Sequence, residues 1–78
     1  MEKKWMRTEQ MLEVLKAEPD VEQQYCHTHG GILRSTHWLI YSSDKNQIAE
    51  STDWNEYDWF SEPEFLAFHA REWWQREV

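Results

Sequence analysis

Between Lys45 and Arg71 the chain has no lysine or arginine. The same interval holds Glu50, Asp53, Glu56, Asp58, Glu62 and Glu64, so six of the seven excess negative charges fall there. Affinity for phosphates depends on basic residues, and a net charge of −7 therefore argues against direct nucleic-acid binding. Cysteine is almost missing too. Cys26 stands alone, which excludes an intramolecular disulfide and with it a secreted disulfide scaffold. No apolar run approaches the roughly 20 residues of a membrane span, and the first residues lack the apolar stretch of a signal peptide. A cytoplasmic protein without membrane contact is expected. Glycine and proline number two each, and no segment has the composition of a linker or a low-complexity tract.

What is present is aromatic. Six tryptophans, three tyrosines and three phenylalanines occur in 78 residues, which we read as a single domain spanning 1–78. A chain this short has little room for a core, and each buried aromatic removes about 150–250 Å² from water. Residues 1–18 read as a helix: Thr8 can cap the segment from Glu9 to Glu18, Met11, Leu12 and Leu15 share a face, and Pro19 ends it. Gly30-Gly31 is a two-residue hairpin signal between strands near Gln23–His29 and Ile32–Ser42. A turn at Ser43-Asp44-Lys45-Asn46 leads to a third strand, Gln47–Ser51, with Ile48 opposite Tyr41. Period two then puts Leu33, Leu39 and Tyr41 on one face and Ile32, Trp38 and Ile40 on the other.

A second helix is expected over residues 61–77. Ser61 and Glu64 form a capping box, Phe60 and Phe65 match a hydrophobic staple, and Phe65, Leu66, His69, Ala70, Trp73 and Trp74 recur at spacings of three and four. The expected fold is α+β, in the order α-β-β-β-α, with a small antiparallel three-stranded sheet packed against two helices.

Cys26, His27, His29 and His37 are ligand types suited to zinc. A two-residue turn at Gly30-Gly31 would set His27 opposite Arg34 and Cys26 opposite Ser35. Alternation would then put Cys26 and His37 on one face and His27 and His29 on the other. On that register three ligands do not converge, so no metal and no cofactor is expected. The shared face would allow a Cys26 and His37 pair, but nothing supplies an oxyanion donor or a cleft, and the chain is not expected to be an enzyme. The acidic residues lack the spacing of a calcium loop, and acids on one segment do not face each other across a cleft as a glycosidase pair does.

Tryptophan and tyrosine are favoured at interface hot spots, and carboxylates around them steer a basic partner. Glu50, Asp53, Trp54, Glu56, Tyr57, Asp58, Trp59 and Glu62 are therefore the candidate partner-binding residues. The expected function is that of a small acidic inhibitor or adaptor, without enzymatic activity, that docks on the basic surface of a nucleic-acid-binding protein. In size, charge and aromatic content, though in no motif, the chain resembles the small acidic inhibitors that phages use against restriction and CRISPR systems. That resemblance implies a DNA-mimic, anti-defence role. The alternative is a homodimeric interaction module that uses the Trp38 and Ile40 face, its acidity serving solubility.

Overall fold

Thr8–Ala17 forms the first helix, α1, and Glu62–Phe68 the second, α2, in a computed structural model that describes residues 4–29 and 33–77, with only the backbone described at Leu33. The strands are β1 (Met6–Arg7), β2 (Gln23–His29), β3 (Leu33–Ser42), β4 (Gln47–Ser51), β5 (Asp58–Ser61) and β6 (Glu72–Glu77). They form one sheet in the order β1-β6-β2-β3-β4-β5, every neighbouring pair antiparallel. The α+β class and the two helices agree with the sequence, but the sheet has six strands, not three. No helix among the described residues is long and apolar enough to cross a membrane.

The meander from β2 to β4 follows the expected pattern, with Tyr41 opposite Ile48 across a four-residue turn. The end of the chain does not. The helix begun at Ser61 stops at Phe68, Arg71 takes a left-handed φ of 66°, and Glu72–Glu77 continues as a strand between β1 and β2. A helix through residue 77 would have left the free edge of β2 with a row of unpaired N–H and C=O groups. The inserted strand pairs that edge, and tryptophan suits a pleated surface at least as well as a helix. Alternation makes Trp74 fully buried and leaves Trp73 at 37 % exposure.

Both helices pack on one face of the sheet. Met11, Leu12 and Leu15 of α1 and Phe65 of α2 form the core with Tyr25, Leu39, Ile48 and Trp74. The start of α2 is held as its sequence implies: Ser61 Oγ accepts from the Glu64 N–H at 3.3 Å, and Glu64 Oε1 accepts from the Ser61 N–H at 2.9 Å. Phe60 packs on Phe65 with ring centroids 5.8 Å apart. Thr8 departs from its expected capping role. Its hydroxyl donates to the His69 carbonyl at 2.8 Å and accepts from the Trp74 indole N–H at 3.0 Å, tying α1 to both ends of the α2-to-β6 connection.

The hairpin register differs from the expected one by a single residue. His29 pairs with Leu33, so three residues separate the paired ends; Gly30, Gly31 and Ile32 lie outside the described residues. Because side chains alternate strictly, one residue of slip exchanges the faces of one strand relative to the other. Tyr25 lies opposite His37, His27 opposite Ser35 and Cys26 opposite Thr36. His27 and His37 therefore share the helix-covered inner face. Cys26 points to the outer face, which removes the expected Cys26 and His37 pair.

Candidate functional site

Three imidazoles and two carboxylates meet on the inner face of the sheet. β2 presents His27, β3 His37, β4 Glu50 and β6 Glu72, while His69 caps the C-terminal end of α2. His37, Glu50 and His69 are buried. Trp74 lies among the rings, its centroid 4.5 Å from His27, 5.0 Å from His69 and 5.3 Å from His37. Its bulk fixes where each imidazole can stand.

The protons of this network can be assigned by counting donors. His69 has a carboxylate oxygen at each ring nitrogen, Glu72 Oε1 2.5 Å from Nδ1 and Glu50 Oε1 2.8 Å from Nε2. A neutral imidazole has one N–H, so donation to both carboxylates requires the imidazolium. Burial opposes that charge, but Glu50 and Glu72 outweigh it and raise the His69 pKa above the usual histidine range. Burial likewise disfavours a charge on Glu50, yet the N–H groups of His37 and His69 draw its pKa down to about 2. Glu72 falls in the same direction, burial again being overcome by His69 and His27. For His27 burial prevails over Glu72, and the nearby His37 and His69 add to the lowering. The His27 Nε2 hydrogen is donated to Glu72.

Ser35 completes the count. Its Oγ is 2.9 Å from His37 Nε2 and 3.5 Å from His27 Nδ1, so the hydroxyl bridges the two rings. His37 donates from Nδ1 to the Glu50 carboxylate.

The acidic segment adjoins this network. A cavity of about 290 Å³ is lined at its buried side by His37, Glu50 and His69. Asp53, Glu56 and Asp58, all exposed, stand at its outer side. Phe60 and Phe68, stacked with centroids 5.5 Å apart, supply an apolar wall. Phe68 is 65 % exposed.

The eight candidate partner-binding residues do not form one outward platform. Glu50 is turned inward and 6 % exposed, because the Leu39-to-Glu50 pairing puts it on the core face beside His37 and His69. Glu62 is held by Lys16 Nζ at 3.0 Å. Trp59 lies on the outer face of the sheet with Lys45 Nζ 4.0 Å from its ring centroid, and Asp58 alternates to the inner face next to the cavity. Asp53, Trp54, Glu56 and Tyr57 remain together in the loop between β4 and β5.

That loop is organised by its own hydrogen bonds. Asp53 Oδ1 accepts from the N–H of Asn55 at 2.9 Å, the N–H of Glu56 at 3.0 Å and the Ser51 hydroxyl at 3.1 Å. The backbone donors pull the Asp53 pKa below its ordinary value. Glu22, at the entrance to β2, accepts from Trp54 Nε1 at 3.1 Å and from the Tyr57 hydroxyl. Burial and then Glu22 raise the Tyr57 pKa to about 12. Trp54 is 64 % exposed and takes a φ of 61°, a left-handed conformation that is unfavourable for so bulky a residue.

Comparison with protein-family models, curated proteins and solved structures gave no significant match. Glu22, Phe68, His69 and Glu72 were not singled out from the sequence as site residues. Glu22 carries no local signal, since its partners are more than 30 positions away. His69 and Glu72 had one: a histidine and a glutamate three apart could face the same centre as the alternating His27 and His29 once the last helix ends early.

Proposed function

We propose that the protein is a non-enzymatic binding module that docks on the basic surface of a nucleic-acid-binding protein, as an inhibitor or adaptor. The observation that carries this reading is Trp54. A large aromatic held in a left-handed conformation, braced by Glu22 and still 64 % exposed, costs stability and contributes little to the core. Such a residue is well suited to anchor a partner, because interface hot spots favour rigid tryptophan. The cavity lined by its loop neighbours Asp53 and Glu56 has the chemistry for a lysine or arginine side chain of that partner: Asp53, Glu56 and Asp58 supply negative charge, and Phe60 and Phe68 an apolar wall for the aliphatic stem. In its sharper form the protein is a DNA mimic whose carboxylates take the places of phosphates.

The test is a double charge reversal, Glu56→Lys with Asp58→Lys, measured against an arginine-rich peptide by calorimetry and against the native partner by affinity capture. Both side chains are exposed, so the fold should be unaffected. Binding is expected to fall at least tenfold in the reversed protein, and in the wild type the peptide is expected to shift the amide signals of residues 53–58. Equal affinity of the two proteins for the peptide would contradict the reading.

A second reading, homodimerisation through the outer face of the sheet, is favoured by the placement of both helices on the inner face. Trp38 and Ile40 are half-buried on that outer side, Trp73 is exposed, and the buried Thr28 Oγ1 has no hydrogen-bond partner among the described residues. Sedimentation equilibrium separates the two readings, since apolar self-association persists at high salt and survives the charge reversal.

A further inference from the structure

We propose that His27, His69 and Glu72 bind a divalent transition-metal ion of the zinc type. The donor atoms of these three side chains lie within 4.8 Å of one another, on separate elements that the core already holds in place. Two imidazoles and a carboxylate are the ligand set of many zinc sites with an open position, in which the bonds run to about 2.0–2.2 Å. Glu72 Oε1 already accepts hydrogens from both His27 Nε2 and His69 Nδ1. The ion takes the place of those two hydrogens.

The surroundings suit a bound metal. When His69 coordinates through Nδ1, its Nε2 hydrogen stays on Glu50, 2.8 Å away. This carboxylate-to-histidine support fixes the tautomer and orientation of a ligating imidazole. Glu50 is held in turn by His37. When His27 coordinates through Nε2, its hydrogen moves to Nδ1 and can be donated to Ser35 Oγ, 3.5 Å away. His29 offers a further donor. Its Nδ1 is 3.4 Å from Glu72 Oε2, and it is well exposed, so it can approach the remaining coordination position. Bound in this way, the ion would join β2, β6 and the end of α2, a useful staple for a 78-residue chain with a single cysteine.

The experiment is titration of the full chain with Co²⁺ and Zn²⁺, followed by visible absorption and thermal unfolding. One equivalent of Co²⁺ is expected to produce ligand-field bands, Zn²⁺ to displace it, and the saturated protein to melt at a higher temperature. Glu72→Gln and His27→Gln, each checked for retained folding by circular dichroism, should abolish the bands. Glu50→Gln should weaken binding about 10- to 100-fold without removing it, as expected of a group that positions a ligand. Cys26→Ser should bind like the wild type. Three outcomes overturn the proposal: no saturable binding by the wild type, binding that survives both Glu72→Gln and His27→Gln, or binding that depends on Cys26.

Discussion

Trp54 and Tyr25 represent opposite uses of an aromatic side chain. Tyr25 is fully buried, donates from its hydroxyl to Gln23 Oε1 at 2.7 Å, and has its pKa raised by burial to about 12. A phenol whose folded pKa lies above its unfolded value near 10 contributes stability that is complete below pH 10 and is lost as the pH rises through 12. Urea unfolding between pH 9 and 12 should therefore show a decline of up to about 3 kcal/mol. Tyr25→Phe should lessen that decline, to which Tyr57 also contributes, after an initial loss of about 1 kcal/mol for the missing hydrogen bond; an unchanged alkaline slope would disprove the assignment. Trp54 has the reverse balance. Trp54→Gly relieves a left-handed strain of about 1–2 kcal/mol, so stability should hold or rise while partner affinity falls. A marked loss of melting temperature would instead make Trp54 a structural residue.

At the scale of elements, Thr8 is the joint that secures the last strand. Thr8→Val keeps the volume but leaves the Trp74 indole N–H unpaired inside the core, at a cost of about 1–3 kcal/mol by denaturant melts. A loss well below 1 kcal/mol would show that the connection is held by packing alone. The same elements show what sequence could and could not reveal. The capping box at Ser61 and Glu64 and the Tyr41-to-Ile48 pairing were legible because each is settled by residues close in the chain. The fate of Trp73 and Trp74 was not, since their spacing suits either helix or strand and the choice is made by the unpaired edge of β2, some 50 positions earlier. The His cluster was hidden by one residue of hairpin length. Gly30-Gly31 marks a turn without fixing whether two or three residues connect the paired ends, and that difference moves His27 from the face opposite His37 to the same one. Among the acids, Glu50 looked like its exposed neighbours because burial beside two histidines leaves no mark in local composition.

Across the whole molecule, charge is distributed unevenly. The four bases of the first 18 residues offset four acids, whereas the region from Lys45 to Arg71 is left anionic. Internal partners neutralise part of it, Lys16 at Glu62 and His69 at Glu50. Asp53, Glu56 and Asp58 make no ion pair with a cation among the described residues, and they line one cavity. A small, aromatic core supports this arrangement, with both helices on one face and the acidic loop at the β4-to-β5 end. Long-range steering is then dominated by this anionic end. The most direct test is the salt dependence of binding to an arginine-rich peptide, compared between wild type and the Glu56→Lys, Asp58→Lys protein. A steep loss of wild-type affinity as salt rises, with a weak and nearly salt-independent interaction in the variant, is the predicted result. Wild-type affinity that stays constant or increases with salt would contradict it.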